Sequence, residues 1–190
     1  FRTLFYDAVR LHMRADVPVA CCLSGGLDSS SVVSVASSRS PYPLEVFTAR
    51  FEDRTMDEWR WAEEIHRAKP VTPVSILVTP DGLMSEFGAL VRAQEEPVAG
   101  PSVYAQWCVM KAIKERGIRV VLDGQGADEL LCGYAKYFYW ALRDLWNERA
   151  FLSAANSALD MLLNAGSHVF NWREAARYLP RGLGQRHTQA

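Results

Sequence analysis

Two short stretches carry residue types suited to phosphate chemistry. Ser24-Gly25-Gly26-Leu27-Asp28-Ser29 follows an apolar run and precedes a helix-like pattern. Its glycines remove Cβ atoms, so backbone N–H groups can turn inward and approach an anion closely. Ser24, Ser29 and Ser30 add hydroxyls, and the start of the next helix adds positive partial charge. The lysine of GxxxxGK[ST] and the spacing of GxGxxG are both missing. Cys22 stands where a GxSxG nucleophile elbow needs its first glycine. Asp28 would repel a polyphosphate unless a divalent cation lies between them, which points to Mg²⁺. The plainer alternative makes Asp28 a helix N-cap and the glycines a tight turn. The second stretch, Asp123-Gly124-Gln125-Gly126-Ala127-Asp128-Glu129, also follows an apolar run and also combines glycine with acid.

These loops need elements to hold them. Residues 1–14 read as a helix with Phe1, Leu4, Phe5, Ala8, Leu11 and His12 on one face. Residues 17–23 read as a buried strand and 28–38 as a helix. Leu44–Phe51 is a second strand, followed by a helix over 57–68 with Trp61, Ala62, Ile65 and Ala68 on one side. Val71–Val78 is a third strand, placed near an edge by Pro73. Pro80-Asp81 opens a helix carrying Leu83, Phe87, Leu90 and Val91. After a loop over 94–101, Ser102 caps a helix that Gly117 ends. Residues 118–122 form a fourth strand, and a helix begins near Asp128. From Tyr134 strands disappear, and 138–149, 151–164 and 172–178 read as helices, with 181–190 frayed.

Strand alternating with helix predicts an α/β fold, a parallel doubly wound sheet with a helical C-terminal region. The core spans 1–140, and 141–190 is an incomplete helical extension of the same domain. In such sheets ligands sit beyond the carboxyl ends of the strands, where strand order reverses. If the strands before the two glycine loops are neighbours there, both loops face one crevice.

Composition narrows the classes. The chain has 190 residues, 49% of them hydrophobic and 23% charged, which suits a folded domain with a real core. With 21 Lys+Arg against 22 Asp+Glu, no basic surplus exists for nucleic-acid binding. The apolar run at 17–23 is too short to span a bilayer, and no secretory signal is read at the start. The four cysteines form no CxxC and no Cys/His cluster. Reduced thiols in a cytoplasmic protein are expected, and zinc is not. The scattered histidines read as packed or exposed rather than catalytic, the helical tryptophans as core or helix interface, and Asp57-Glu58 as helix-surface charge.

The first loop resembles the PP-loop, SGGxDS, of ATP pyrophosphatases of the adenine nucleotide α-hydrolase type. The second, with Gly133-Tyr134, resembles the SGxGxDE…GGY segment of asparagine synthetases. Asp16-Val17-Pro18-Val19 resembles the DVPVG that leads into their PP-loop. Gln94-Glu95-Glu96-Pro97 with Ser102, Tyr104 and Gln106 resembles their (D/E)EP…S segment. These four ordered matches cover roughly 1–140. The resemblance implies a ligase that adenylates the aspartate side-chain carboxylate with ATP, releases pyrophosphate, and passes the acyl group to ammonia to give asparagine.

It further implies that Ser24, Gly25, Gly26, Asp28 and Ser29 hold pyrophosphate. Leu23 lies on the adenine side, and Ala49, ending the second strand, supplies a backbone contact to adenine. Asp123 and Gly124 contact the nucleotide. Asp28 and Asp128 carry Mg²⁺. Gln125 lies near the reacting acyl group, and Glu96 with Gln125 faces the substrate. Asp28, Asp128 and Gln125 form the catalytic set.

Two departures bear on the chemistry. Asp123 stands where well-known family members have Ser, and Gln125 where they have Glu. An amide cannot serve as a general base. LDGQGADE resembles one bacterial branch of asparagine synthetase-like proteins. No N-terminal cysteine nucleophile for a glutaminase half is present, and Lys136 is the only lysine after Asp128. The expectation is a truncated synthetase that binds ATP, turns over poorly alone, and relies on ammonia from a glutaminase domain. The resemblance admits a homodimer. Two alternatives stay open: an adenylating cyclase of the β-lactam synthetase or lasso-peptide type, and a non-catalytic ATP-binding module.

Overall fold

The computed structural model describes residues 1–98 and 100–164. The chain separates into two compact units, Phe1–Gln125 and a second beginning at Gly126. In the first unit the order is α1 (Arg2–His12), β1 (Val19–Cys22), α2 (Leu27–Ser37), β2 (Leu44–Phe51), α3 (Trp59–Ala68), β3 (Val71–Val78), α4 (Pro80–Gln94), α5 (Pro101–Glu115) and β4 (Val120–Leu122). The second unit holds α6 (Ala127–Leu131), α7 (Ala135–Asn147) and α8 (Phe151–Asn164).

The expected α/β architecture is present. Among the described residues the four strands form one all-parallel sheet in the order β3-β2-β1-β4. The chain leaves β1 toward β2 and β3, then returns to pair β4 with the other side of β1. Strand order therefore reverses between β1 and β4. Their register pairs Val19 with Val120 and Cys21 with Leu122.

Side-chain alternation assigns the two faces. Cys21, Leu23, Leu44 and Val46 pack with Val9, Val33, Ala36 and Ala62, covering one face with α1, α2 and α3. Ala20 and Phe47 pack with Val109 and Ile113 of α5 on the other. Val78, Leu90, Tyr104 and Cys108 extend that second core between α4 and α5. Each fully buried Val, Leu, Ile or Phe among them contributes roughly 1.5–3 kcal/mol by leaving water.

β3 lies at the sheet edge, as Pro73 predicts, and pairs with β2 along its full length, Val46 facing Pro73. Several details differ from the sequence reading. On α1, Val9 is buried and Phe5 and Met13 pack inward, while Phe1, Leu4 and Leu11 are exposed. Trp61 and Phe87 also point outward, leaving Ala62 and Leu90 as the buried positions of α3 and α4. Gly100 is the N-cap of α5 and Pro101 its first residue, so Ser102 does not cap it. Proline at that position loses no helical hydrogen bond and fixes φ for the turn.

Helix α7 starts at Ala135, before the expected 138. Tyr139 and Ala154 are buried in the second unit, and the Trp146 and Phe151 rings meet edge-on at 5.0 Å. The expected helix over 172–178 lies outside the described residues. No helix among the described residues is long and apolar enough to cross a membrane.

Candidate functional site

Leu23 ends the β1 hydrogen bonding, its N–H donating to the Phe47 carbonyl at 2.9 Å. Its side chain is fully buried in the α1–α3 face. Only the Leu23 backbone is therefore free to face a ligand. The chain then turns through Ser24 and Gly25, whose φ is +90°. A Cβ on Gly25 would lie 2.7 Å from Trp61 Cβ and 2.8 Å from the Ala62 nitrogen. Glycine is required here by both conformation and space.

Serine hydroxyls knit the loop. Gly26 N–H donates to Ser24 Oγ at 3.2 Å. Ser29 Oγ accepts from the Ser24 N–H at 3.3 Å, lies 3.1 Å from Ser24 Oγ, and reaches the Gly26 carbonyl at 3.3 Å. Ser29 is buried, whereas Ser24 is exposed.

Gly26 is the N-cap of α2 and offers no side-chain cap. The first helical bond runs from Ser30 N–H to the Gly26 carbonyl. The amides of Leu27, Asp28 and Ser29 thus lack intrahelical acceptors, the arrangement that favours an anion. Asp28 is the second helical residue and is half-buried. The N-cap alternative for Asp28 is thereby overturned. No hydrogen bond or ion pair engages its carboxylate among the described residues.

The second loop leaves β4, the neighbour of β1. Asp123 Oδ1 accepts the Gly124 N–H at 2.7 Å. A Cβ on Gly124 would stand 2.7 Å from the Ser29 nitrogen and 3.0 Å from the Ser29 Cα. The two glycine loops are in contact through bare backbone. Asp123 also lies near the thiols of β1. Burial first, and its negative charge second, push Cys21 and Cys22 up to about 12.

β2 overruns β1. The last β1–β2 pair is Cys22 with Phe47, but β2 continues to Phe51 against β3. Because Phe47 turns its carbonyl to β1, alternation turns the N–H and C=O of Ala49 the same way, beyond the end of that strand. Ala49 is therefore inside the strand, two residues short of its end, with its backbone at the mouth between the sheet and the first loop.

Gln125 closes the first unit and is exposed. Glu96 is exposed beyond Glu95, which ends α4 in the left-handed conformation with φ 58°. No polar contact ties Glu96 to either loop among the described residues. In the second unit Gly126, at φ +90°, caps α6, and Asp128 and Glu129 occupy its first turn. The Asp128 carboxylate lies against Gly133, where any Cβ would collide with it. Tyr134 O–H donates to Glu129 at 2.9 Å, and that bond raises the phenol above its ordinary range.

One group escaped the sequence reading. Asp57, expected as surface charge, holds the Arg50 guanidinium through Nε at 2.9–3.0 Å and Nη2 at 2.7 Å. Its side chain is only 10% exposed. The Arg50 hydrogen bonds hold its carboxyl below the ordinary range. The available signal was an acid two residues before a helix start and an arginine one residue short of a strand end.

The sequence model of the family described as asparagine synthase matches residues 1–189. The chain is 39% identical to asparagine synthetase [glutamine-hydrolyzing] 1 of Bacillus subtilis over 136 residues, covering 72% of this chain and 21% of that protein. It is 35% identical to a putative asparagine synthetase [glutamine-hydrolyzing] of Mycobacterium tuberculosis over 131 residues, 69% of this chain and 20% of that one. Amidase chyE of Penicillium rubens is 31% identical over 147 residues, 70% of this chain and 22% of that protein. The chain spans about a fifth of the length of these curated relatives. With the glycine loops meeting at the switch point of a parallel sheet, and with the match running from residue 1 to 189, the chain belongs to the asparagine synthase family.

Proposed function

We propose that the protein is an ATP-dependent amide-forming ligase. It adenylates the side-chain carboxylate of aspartate, with AMP and pyrophosphate as products, and passes the acyl group to ammonia to give asparagine. The carrying observation is the backbone contact of Gly124 with Ser29. It supports one crevice in which the α2 amides and the loop hydroxyls face a pyrophosphate and the Ala49 backbone faces adenine. A carboxylate oxygen is a poor leaving group, and adenylation makes it a good one. Catalysis is then mainly positioning and charge neutralisation.

The donor set fits Mg²⁺ shared with phosphate oxygens. Asp28 offers unengaged oxygens, and no group of three or more His, Cys, Asp or Glu gathers among the described residues. A hard cation that keeps water and phosphate ligands needs only one or two carboxylates. Asp28 and Asp128 would hold it, and when bound it neutralises charge on the polyphosphate.

In this reading Ser24, Gly25, Gly26 and Ser29 bind the leaving pyrophosphate, and the Leu23 and Ala49 backbones orient the nucleotide. Asp123 and Gly124 close the crevice, and Gln125 and Glu96 face the carboxyl substrate. Ammonia comes from a glutaminase part outside this chain. The protein works in the cytoplasm.

The experiment supplies Mg-ATP, ammonia and aspartate to this chain and to any longer natural form that carries it. Aspartate-dependent AMP with pyrophosphate is the expected outcome. ADP with phosphate would overturn the PP-loop reading. Gln125 favours one second reading: with an amide where a carboxylate base would stand, the substrate is less constrained, and a relative of similar identity is named an amidase. AMP formed only with another carboxylate would move the protein to ring-closing chemistry.

A further inference from the structure

We infer that Arg50 and Asp57 are positioning residues for the anion loop, acting through the start of α3. The inference rests on the reading of that loop as the pyrophosphate site.

The loop has little of its own to rest on at Gly25. Its left-handed turn lies against the first turn of α3, with the Gly25 Cβ direction filled by Trp61 Cβ, the Ala62 nitrogen and the Glu58 carbonyl. Any shift of that turn moves Gly25, and with it the amides that follow. What fixes the α3 start is therefore part of the site's construction.

The α3 start has no cap of its own, since Glu58 makes no side-chain cap bond. Residues 52–58 linking it to β2 are irregular. Asp57 supplies the fastening. It accepts the Trp59 N–H at 3.3 Å and grips the Arg50 guanidinium through two nitrogens. Arg50 in turn stacks over the Trp59 ring, its guanidinium carbon 4.6 Å from the ring centre. Arg50 belongs to β2, which is bonded to β1 immediately before the loop by Leu23 N–H and Phe47 C=O. The sheet end, the α3 start and the glycine turn thus form a closed circuit. The pair engages two guanidinium nitrogens and both carboxylate oxygens, an arrangement that lysine cannot reproduce.

The test measures binding of magnesium pyrophosphate by calorimetry to the wild type and to Arg50→Lys, Asp57→Asn and Asp57→Glu. Circular dichroism and melting report folding. Arg67→Ala serves as a control that breaks the exposed α3 pairs with Glu63 and Glu64. Arg50→Lys and Asp57→Asn should fold yet bind about tenfold more weakly, the scale of lost supporting contacts around a site. Asp57→Glu should recover part of the affinity, and Arg67→Ala should match the wild type. In turnover the KM for ATP should rise while that for the carboxylate stays. Wild-type affinity in folded Arg50→Lys and Asp57→Asn would overturn the inference. No pyrophosphate binding by the wild type would overturn the site reading itself, and the inference with it.

Discussion

Gly124 of the second loop touches the backbone of Ser29 in the first turn of α2, at a spacing that leaves no room for a Cβ. The neighbour is main chain, and a Cβ there would also stand 3.1 Å from the Asp28 carbonyl carbon, so the obstruction cannot rotate aside as a side chain would. Gly124→Ala should force the two loops apart. We expect pyrophosphate binding to fall at least tenfold and stability to drop by about 1–3 kcal/mol, as for overpacked sites. Gly100→Ala is the comparison, because that position has open space and extended backbone. Calorimetry and melting on both variants decide the matter. Equal behaviour would remove the contact as a determinant of the site.

Asp28 should be separable from the fold. Its carboxylate has no protein partner among the described residues, and its only structural contribution is a favourable charge in the first turn of α2. Asp28→Asn should cost well under about 1 kcal/mol, the usual scale of a helix-dipole charge. Magnesium-dependent pyrophosphate binding should nevertheless be lost. A variant that binds magnesium pyrophosphate normally would rule out the metal role.

The contact between α4 and α5 should be acid-sensitive. Glu86 accepts from Lys111 Nζ at 2.6 Å and from the buried Tyr104 O–H at 2.9 Å. Those bonds, Lys111 foremost, hold the Glu86 carboxyl below its ordinary range. A depressed carboxyl contributes stability that is complete above the ordinary glutamate value and is lost as pH falls through the lowered one. Tyr104→Phe should cost about 1–2 kcal/mol at neutral pH. The gap to the wild type should narrow as pH falls below the ordinary glutamate range and through the lowered Glu86 value. Melting curves at pH 7 and pH 3 test this. A gap that widens in acid would contradict the sign.

Thiol reactivity should single out one cysteine. Cys21 and Cys22 are pushed up to about 12 by burial, and Cys108 is raised by the same cause. Cys132 is exposed, with φ 59° at the end of α6. At pH 8 an alkylating reagent should label Cys132 rapidly and the others only on unfolding. Mass spectrometry of the native protein before and after Cys132→Ser would show it. Fast labelling of Cys21 would contradict its burial.

The sequence carried much of this because its signals were local. Leu44–Phe51 and Val71–Val78 match their strands end to end, since apolar runs bounded by turn residues leave little freedom. The meeting of the two glycine loops followed from layout, because a switch point puts strand ends side by side. What stayed hidden was set by tertiary contact. A helical stripe on α1 could not reveal which side the sheet covers, so Val9 rather than Leu4 is inside. Asp57 looked like any exposed acid until β2 brought Arg50 beside it. Cys21 is buried as the apolar strand implies and Cys22 only partly so, but the nearness of Asp123 required β4 to be placed next to β1.

Pro73 has a consequence for how copies of this protein can meet. The Leu44 N–H reaches the Pro70 carbonyl, so alternation turns Thr72 and Val74 toward β2 and turns Val71, Pro73, Ser75 and Leu77 outward. On that rim Pro73 has no proton to give, and the Val71 N–H is already held by the Lys69 carbonyl at 2.9 Å. Only Ser75 and Leu77 remain to pair with an incoming strand. A rim with two usable donors is a poor template for sheet extension, so self-association by strand addition is blunted there. Strand addition at this rim would gain few backbone hydrogen bonds.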